Sequence, residues 1–139
     1  MDYKKFDNKI VLRLKACDKI IESLETVAKK ENIRACHFQG IGACNELKIG
    51  LFHKGASDYD WKTYNEDFEI TSLMGNITIF EDKPLVHAHI TCARENLEII
   101  GGHLSEATCS LTAEIFIDVI DGEIIKKHDD EASINIMEF

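Results

Sequence analysis

Apolar and polar positions change their period along this chain. Residues 9–14 alternate as a strand does. Over residues 18–31 the apolar positions Ile20, Ile21, Leu24, Val27 and Ala28 recur at helical spacing and form one stripe. Asp18 stands where the positive end of the helix dipole favours it, and Glu25 with Lys29 forms an i,i+4 pair. After the helix the period becomes two. Residues 33–43, interrupted by Gly40 and Gly42, predict a strand, and Leu47, Ile49 and Leu51 alternate with Lys48, Gly50 and Phe52. Segments 59–64, 68–74, 76–80, 85–92, 111–120 and 133–139 continue the series. Asp121-Gly122, lying between apolar runs, predicts a tight hairpin. One helix with so many strands and no crossover helices predicts an α+β fold, its largely antiparallel sheet curled around or covered by the helix.

Composition narrows the picture. The 139 residues suit one domain spanning the whole chain, with Pro84 the only proline and no linker or repeat. A net charge of −9 makes a poor partner for DNA or an anionic membrane, since affinity there comes from Lys and Arg meeting phosphates. No apolar run approaches the ~20 residues that span a bilayer, and Met1 to Phe6 lacks the apolar segment of a signal peptide. Five cysteines, none at CxxC spacing, read as reduced, mostly buried thiols, so the expected location is the cytoplasm.

Two motifs bear on chemistry. Gly40-Ile41-Gly42-Ala43 follows a strand and leads into another, so no helix N-terminus is available for a phosphate and a bulge is the better reading. The second is His87-Ala88-His89. On a strand, residues two apart share a face, so Val86, Ala88, Ile90 and Cys92 point to the core and the two histidines point away from it. His103 follows the pair Gly101-Gly102, which would let the backbone bend and present a third imidazole. Three neutral nitrogen donors with an open fourth position follow the plan of a catalytic zinc site. The alternative is two solvent-facing histidines and an ordinary loop histidine. Glu69 and Glu114 are candidate catalytic carboxylates, able to orient an imidazole or act as general base, or else simply part of solvated faces. Glu69, Thr71 and Leu73 are expected on one face. His37, His53 and His128 lack any comparable spacing.

Several blocks together resemble the PPC (plants and prokaryotes conserved) domain. They are Arg13-Leu14, Gly40 to Ala43, Phe68 to Asn76, His87-Ala88-His89, Gly101 to Leu104 and Ala113-Glu114-Ile115, in family order. The resemblance implies a strongly bent, mainly antiparallel sheet with one main helix, assembled as a homotrimer. It also implies a metal, usually taken as zinc, on His87, His89 and His103. Cys17 departs from the pattern, because the family commonly has glycine before the helix. Plant members bind AT-rich DNA through an Arg-Gly-Arg-Pro hook that this chain lacks, so the DNA-binding label of prokaryotic members is expected not to apply. A similar trio of histidines occurs in α-acetolactate decarboxylase. Two functions stay open: metal-assisted chemistry on a small carboxylate-bearing molecule, or a module that binds a ligand or a protein.

Overall fold

A computed structural model describes residues 1–139. The elements are β1 (Asp2–Phe6), β2 (Lys9–Lys15), α1 (Ile20–Lys30), β3 (Cys36–Leu51), β4 (Asp60–Phe80), β5 (Lys83–Ala93), β6 (Ile99–Val119), β7 (Ile125–Asp129) and β8 (Ile134–Glu138). The pairing is antiparallel throughout, apart from one parallel contact of β4 with β7. One helix on a mainly antiparallel sheet is what the periodicity predicts.

Eight strands form, within the eight or nine that the sequence pattern suggests, but several are longer than their predicted segments. Segments 59–64, 68–74 and 76–80 merge into β4, which starts at Asp60, and the separate segments at 33–43 and 47–51 merge into β3, which starts at Cys36. Irregularities in register bend these strands instead of ending them. Against β4, β3 slips between Gly40 and Gly42 and again between Cys44 and Glu46. Gly42 is required there, because a Cβ on it would lie 2.4 Å from the carbonyl oxygen of Thr112. A slip between Ile70 and Ser72 changes the phase of β4, so Phe68 and Ile70 face the core but so does Leu73, which therefore does not share a face with Glu69.

Four strands form a closed circuit. β3 pairs with β4, β4 with β5, β5 with β6, and β6 with β3. β2 and β1 extend the sheet beyond β6, and β7 with β8 attaches to β4 only at Ile79 and Ile125. The expected hairpin at Asp121-Gly122 is corrected here: the chain turns at that point, but β7 runs beside β4 and not back along β6. β1 and β7 escape the sequence reading because Lys4, Lys5, Lys126 and Lys127 hide their alternation.

The core is one cluster of 26 buried residues filling the circuit and the space beneath the helix. Ile20, Leu24, Val27 and Ala28 supply the buried stripe of α1, and each large aliphatic side chain so placed contributes about 1.5–3 kcal/mol. The helix begins two residues later than expected. Asp18 instead binds the Met1 ammonium at 2.7 Å and accepts from the Lys15 N–H. The helix start is capped from the sheet, where Glu106 accepts the N–H groups of Ile21 at 2.9 Å and Glu22 at 3.3 Å. Lys29 and Glu25 pair at 3.4 Å as the spacing predicts. No helix is long and apolar enough to cross a membrane.

Candidate metal centre

The alternation of β5 is as expected. Ala88, Ile90 and Cys92 are buried, and His87 and His89 stand on the opposite face. His103 joins them by register, because it is the direct cross-strand partner of His89 on β6. The expected bend at Gly101-Gly102 is corrected: both glycines lie within β6. They are needed for close approach, since a Cβ on Gly101 would meet the Ile90 carbonyl oxygen at 2.6 Å and one on Gly102 the Gly50 carbonyl oxygen at 2.9 Å.

The three imidazole centroids lie 5.2 to 5.5 Å apart. One nitrogen from each ring falls within 4.8 Å of the other two. An ion with Zn–N bonds of about 2.0–2.1 Å would draw these nitrogens closer together by rotation of the rings. Burial, above all, pushes His87 down to about 4, and repulsion from Lys126, His103 and His89 adds to it. Burial likewise lowers His103, with His89 and Lys126 contributing. Both rings are therefore neutral near pH 7 and keep a lone pair to donate. Nδ1 of His103 is buried without a hydrogen-bond partner, as is Oδ1 of Asn76, the residue that faces His87 across β4. An orphaned ring nitrogen inside a cluster of three imidazoles fits a metal ligand.

Aromatic rings wall one side. Tyr59 stacks on His103 at 4.4 Å and on Trp61 at 4.7 Å. Gly50 makes room for this, because a Cβ there would lie 2.7 Å from the Trp61 ring. On the other side Lys126 reaches from β7, its Nζ 3.3 Å from Nδ1 of His87. A cavity of about 370 Å³ opens beside His87 and His103. The sequence reading missed Gly50, Tyr59, Trp61, Asn76 and Lys126. It also set aside His128, which lines this cavity. His37 lies elsewhere, beside Asp118, and His53 is exposed.

Neither Glu69 nor Glu114 joins the histidines. Both are exposed: Glu69 lines a cleft with Glu66 and Arg94, and Glu114 lines a groove with Ile41, Met74 and Phe116. All five cysteines are free thiols, and all but Cys17 are buried.

The model of the Plants and Prokaryotes Conserved (PCC) domain matches residues 1–121. A Bacteroides thetaiotaomicron structure, provisionally described as a DNA-binding protein, is 30% identical with a TM-score of 0.96, over 99% of this chain and 96% of that one. The metal-containing protein AF0104 of Archaeoglobus fulgidus is 26% identical with a TM-score of 0.89, over 100% of this chain and 99% of that one. A Pyrococcus horikoshii plant- and prokaryote-conserved protein is 26% identical with a TM-score of 0.87, over 99% of this chain and 94% of that one. Among curated proteins, none matches the sequence.

Proposed function

The chain belongs to the Plants and Prokaryotes Conserved domain family, and on that footing we propose that it binds a divalent metal, zinc in the first instance, on His87, His89 and His103. The observation that carries this reading is the convergence of three imidazole nitrogens, with Nδ1 of His103 buried and unpartnered. The similarity to a metal-containing archaeal protein supports it. Bound there, a divalent ion supplies Lewis acidity to an oxygen of a substrate. Tyr59 and Trp61 shield His103 from water and hold its ring plane, while β5 fixes the separation of the other two rings. The adjoining cavity of about 370 Å³ suits a small molecule better than a protein segment, which favours chemistry on a small carboxylate-bearing compound over a protein-binding module.

The test is bound zinc per chain after dialysis against a weak chelator. His89→Ala is expected to lose zinc by orders of magnitude in affinity and to keep its fold, because Ala88 and Ile90 still fill the core. His53→Ala is expected to bind as the wild type does. Equal zinc in all three proteins refutes the assignment.

The reading extends to a cytoplasmic homotrimer, supported by exposed Ile41, Met74 and Phe116 on the outer sheet face. It leaves DNA out. A net charge of −9 opposes the phosphate backbone, and the chain has no Arg-Gly-Arg-Pro segment. No retarded band is expected in a gel-shift at ~150 mM salt, and competitor-resistant retardation refutes this part.

A further inference from the structure

Lys126 stands where a lysine is costly. It is 7% exposed, and its only polar contact is Nδ1 of His87 at 3.3 Å. No carboxylate pairs with it, whereas Lys127 beside it binds Glu138 at 2.6 Å. A buried ammonium without a counter-charge is strongly disfavoured unless something negative arrives. Lys126 also lies beyond residues 1–121, the span matched by the family model.

The surroundings hold one negative charge, and it forms no ion pair with Lys126. Lys126, His87 and His103 line the cavity of about 370 Å³, whose only carboxylate is Asp58. Asp58 is already engaged, its Oδ1 accepting the Tyr59 N–H at 2.7 Å and the Trp61 indole N–H at 3.3 Å. The imidazoles supply no negative charge, so Asp58 alone would offset a divalent ion among them, and Lys126 would add a further positive charge. The cavity also has an apolar side, formed by Phe52, Leu85 and the Tyr59 ring.

We propose that Lys126 is the anion-recognition residue of this cavity, its ammonium binding the carboxylate of a short-chain acid whose hydrocarbon end lies against Phe52 and Leu85. A single ammonium with an apolar wall suits a monoanionic carboxylate, whereas a phosphate group calls for several converging donors. The proposal deepens the function argued above and rests on it for the ligand's approach to the histidines, though not for the ligand's charge.

The probes are acetate and butyrate at fixed ionic strength, followed by calorimetry and by Tyr59 and Trp61 fluorescence. Wild type, Lys126→Met, Lys126→Arg and the control Lys127→Met are each titrated zinc-loaded and chelator-treated. The expected result is saturable binding, butyrate tighter than acetate, weakened about tenfold or more by Lys126→Met. Lys126→Arg and Lys127→Met are expected to retain most of the affinity, and zinc content is expected to stay at the wild-type level in all three variants. Unchanged butyrate binding in Lys126→Met, or no saturable binding in wild type, overturns the proposal. So does loss of zinc by Lys126→Met to the extent seen in His89→Ala, which would make Lys126 part of the metal scaffold. If wild type takes up no zinc, yet chelator-treated protein loses butyrate binding on Lys126→Met, the anion site stands and the metal reading falls.

Discussion

At the scale of the residue, His87 is neutral when folded down to about pH 4, whereas a free imidazole takes its proton near ~6.5. Between those values the unfolded chain binds a proton that the folded chain refuses. Stability without metal therefore falls as pH drops through that window, by roughly 3 kcal/mol at most from this residue. His103 acts in the same direction. The paired carboxylates Asp2, Asp18, Glu31 and Asp118, all held below their usual range, also lose stabilisation in acid, but mainly below this window. The melting temperature of chelator-treated protein should decline from pH 7 to pH 5, and His87→Asn should flatten that decline. Parallel curves for the two proteins count against the buried neutral imidazole. Cys17 shows a cost of another kind. With φ of 73° it holds a left-handed backbone that a glycine would adopt without strain.

At the scale of the element, the histidine pair was legible because a period of two is a local property of β5. The third donor, His103, was legible too, but the route that brings it to the pair was not. His103 reaches His89 through cross-strand register, which depends on two strands and not on the glycines before it. Length was hidden for a similar reason. β4 and β6 each run 21 residues through segments that read as turns. Gly75 looks like a break, yet it sits in the ladder because a Cβ there would lie 2.3 Å from the His87 carbonyl oxygen. Lys126 gave no signal, since nothing in the short polar run of β7 distinguishes it from Lys127. Contacts set by distant strands are invisible to a window of a few residues.

At the scale of the whole molecule, the outer sheet face leaves Ile41, Met74 and Phe116 at 59%, 59% and 51% exposure around one groove. Apolar side chains grouped this way favour contact with another copy. Met74 is the cross-strand partner of His89, so such a contact would border the histidines. Light scattering is expected to give three times the chain mass, and Phe116→Glu to lower that mass without unfolding the protein. A wild-type monomer across a wide concentration range refutes the trimer.

The closed circuit and the single β4–β7 contact divide the cavity into two unequal parts. His89 and His103 lie where their strands are paired along both edges, and His87 lies just past the end of the β5–β6 ladder, paired with β4. Opening the amides of His89 and His103 therefore means breaking the ring of ladders. Lys126 belongs to a two-stranded ribbon tethered at Ile79 and Ile125, with backbone bonds from Ile79 N–H to Ile124 and from Ile124 N–H to Arg34. The ribbon's amides should exchange with deuterium far sooner than those flanking His89. One wall of the cavity would then breathe while the donor set keeps its spacing, so a small acid enters and leaves without disturbing the nitrogens that it approaches.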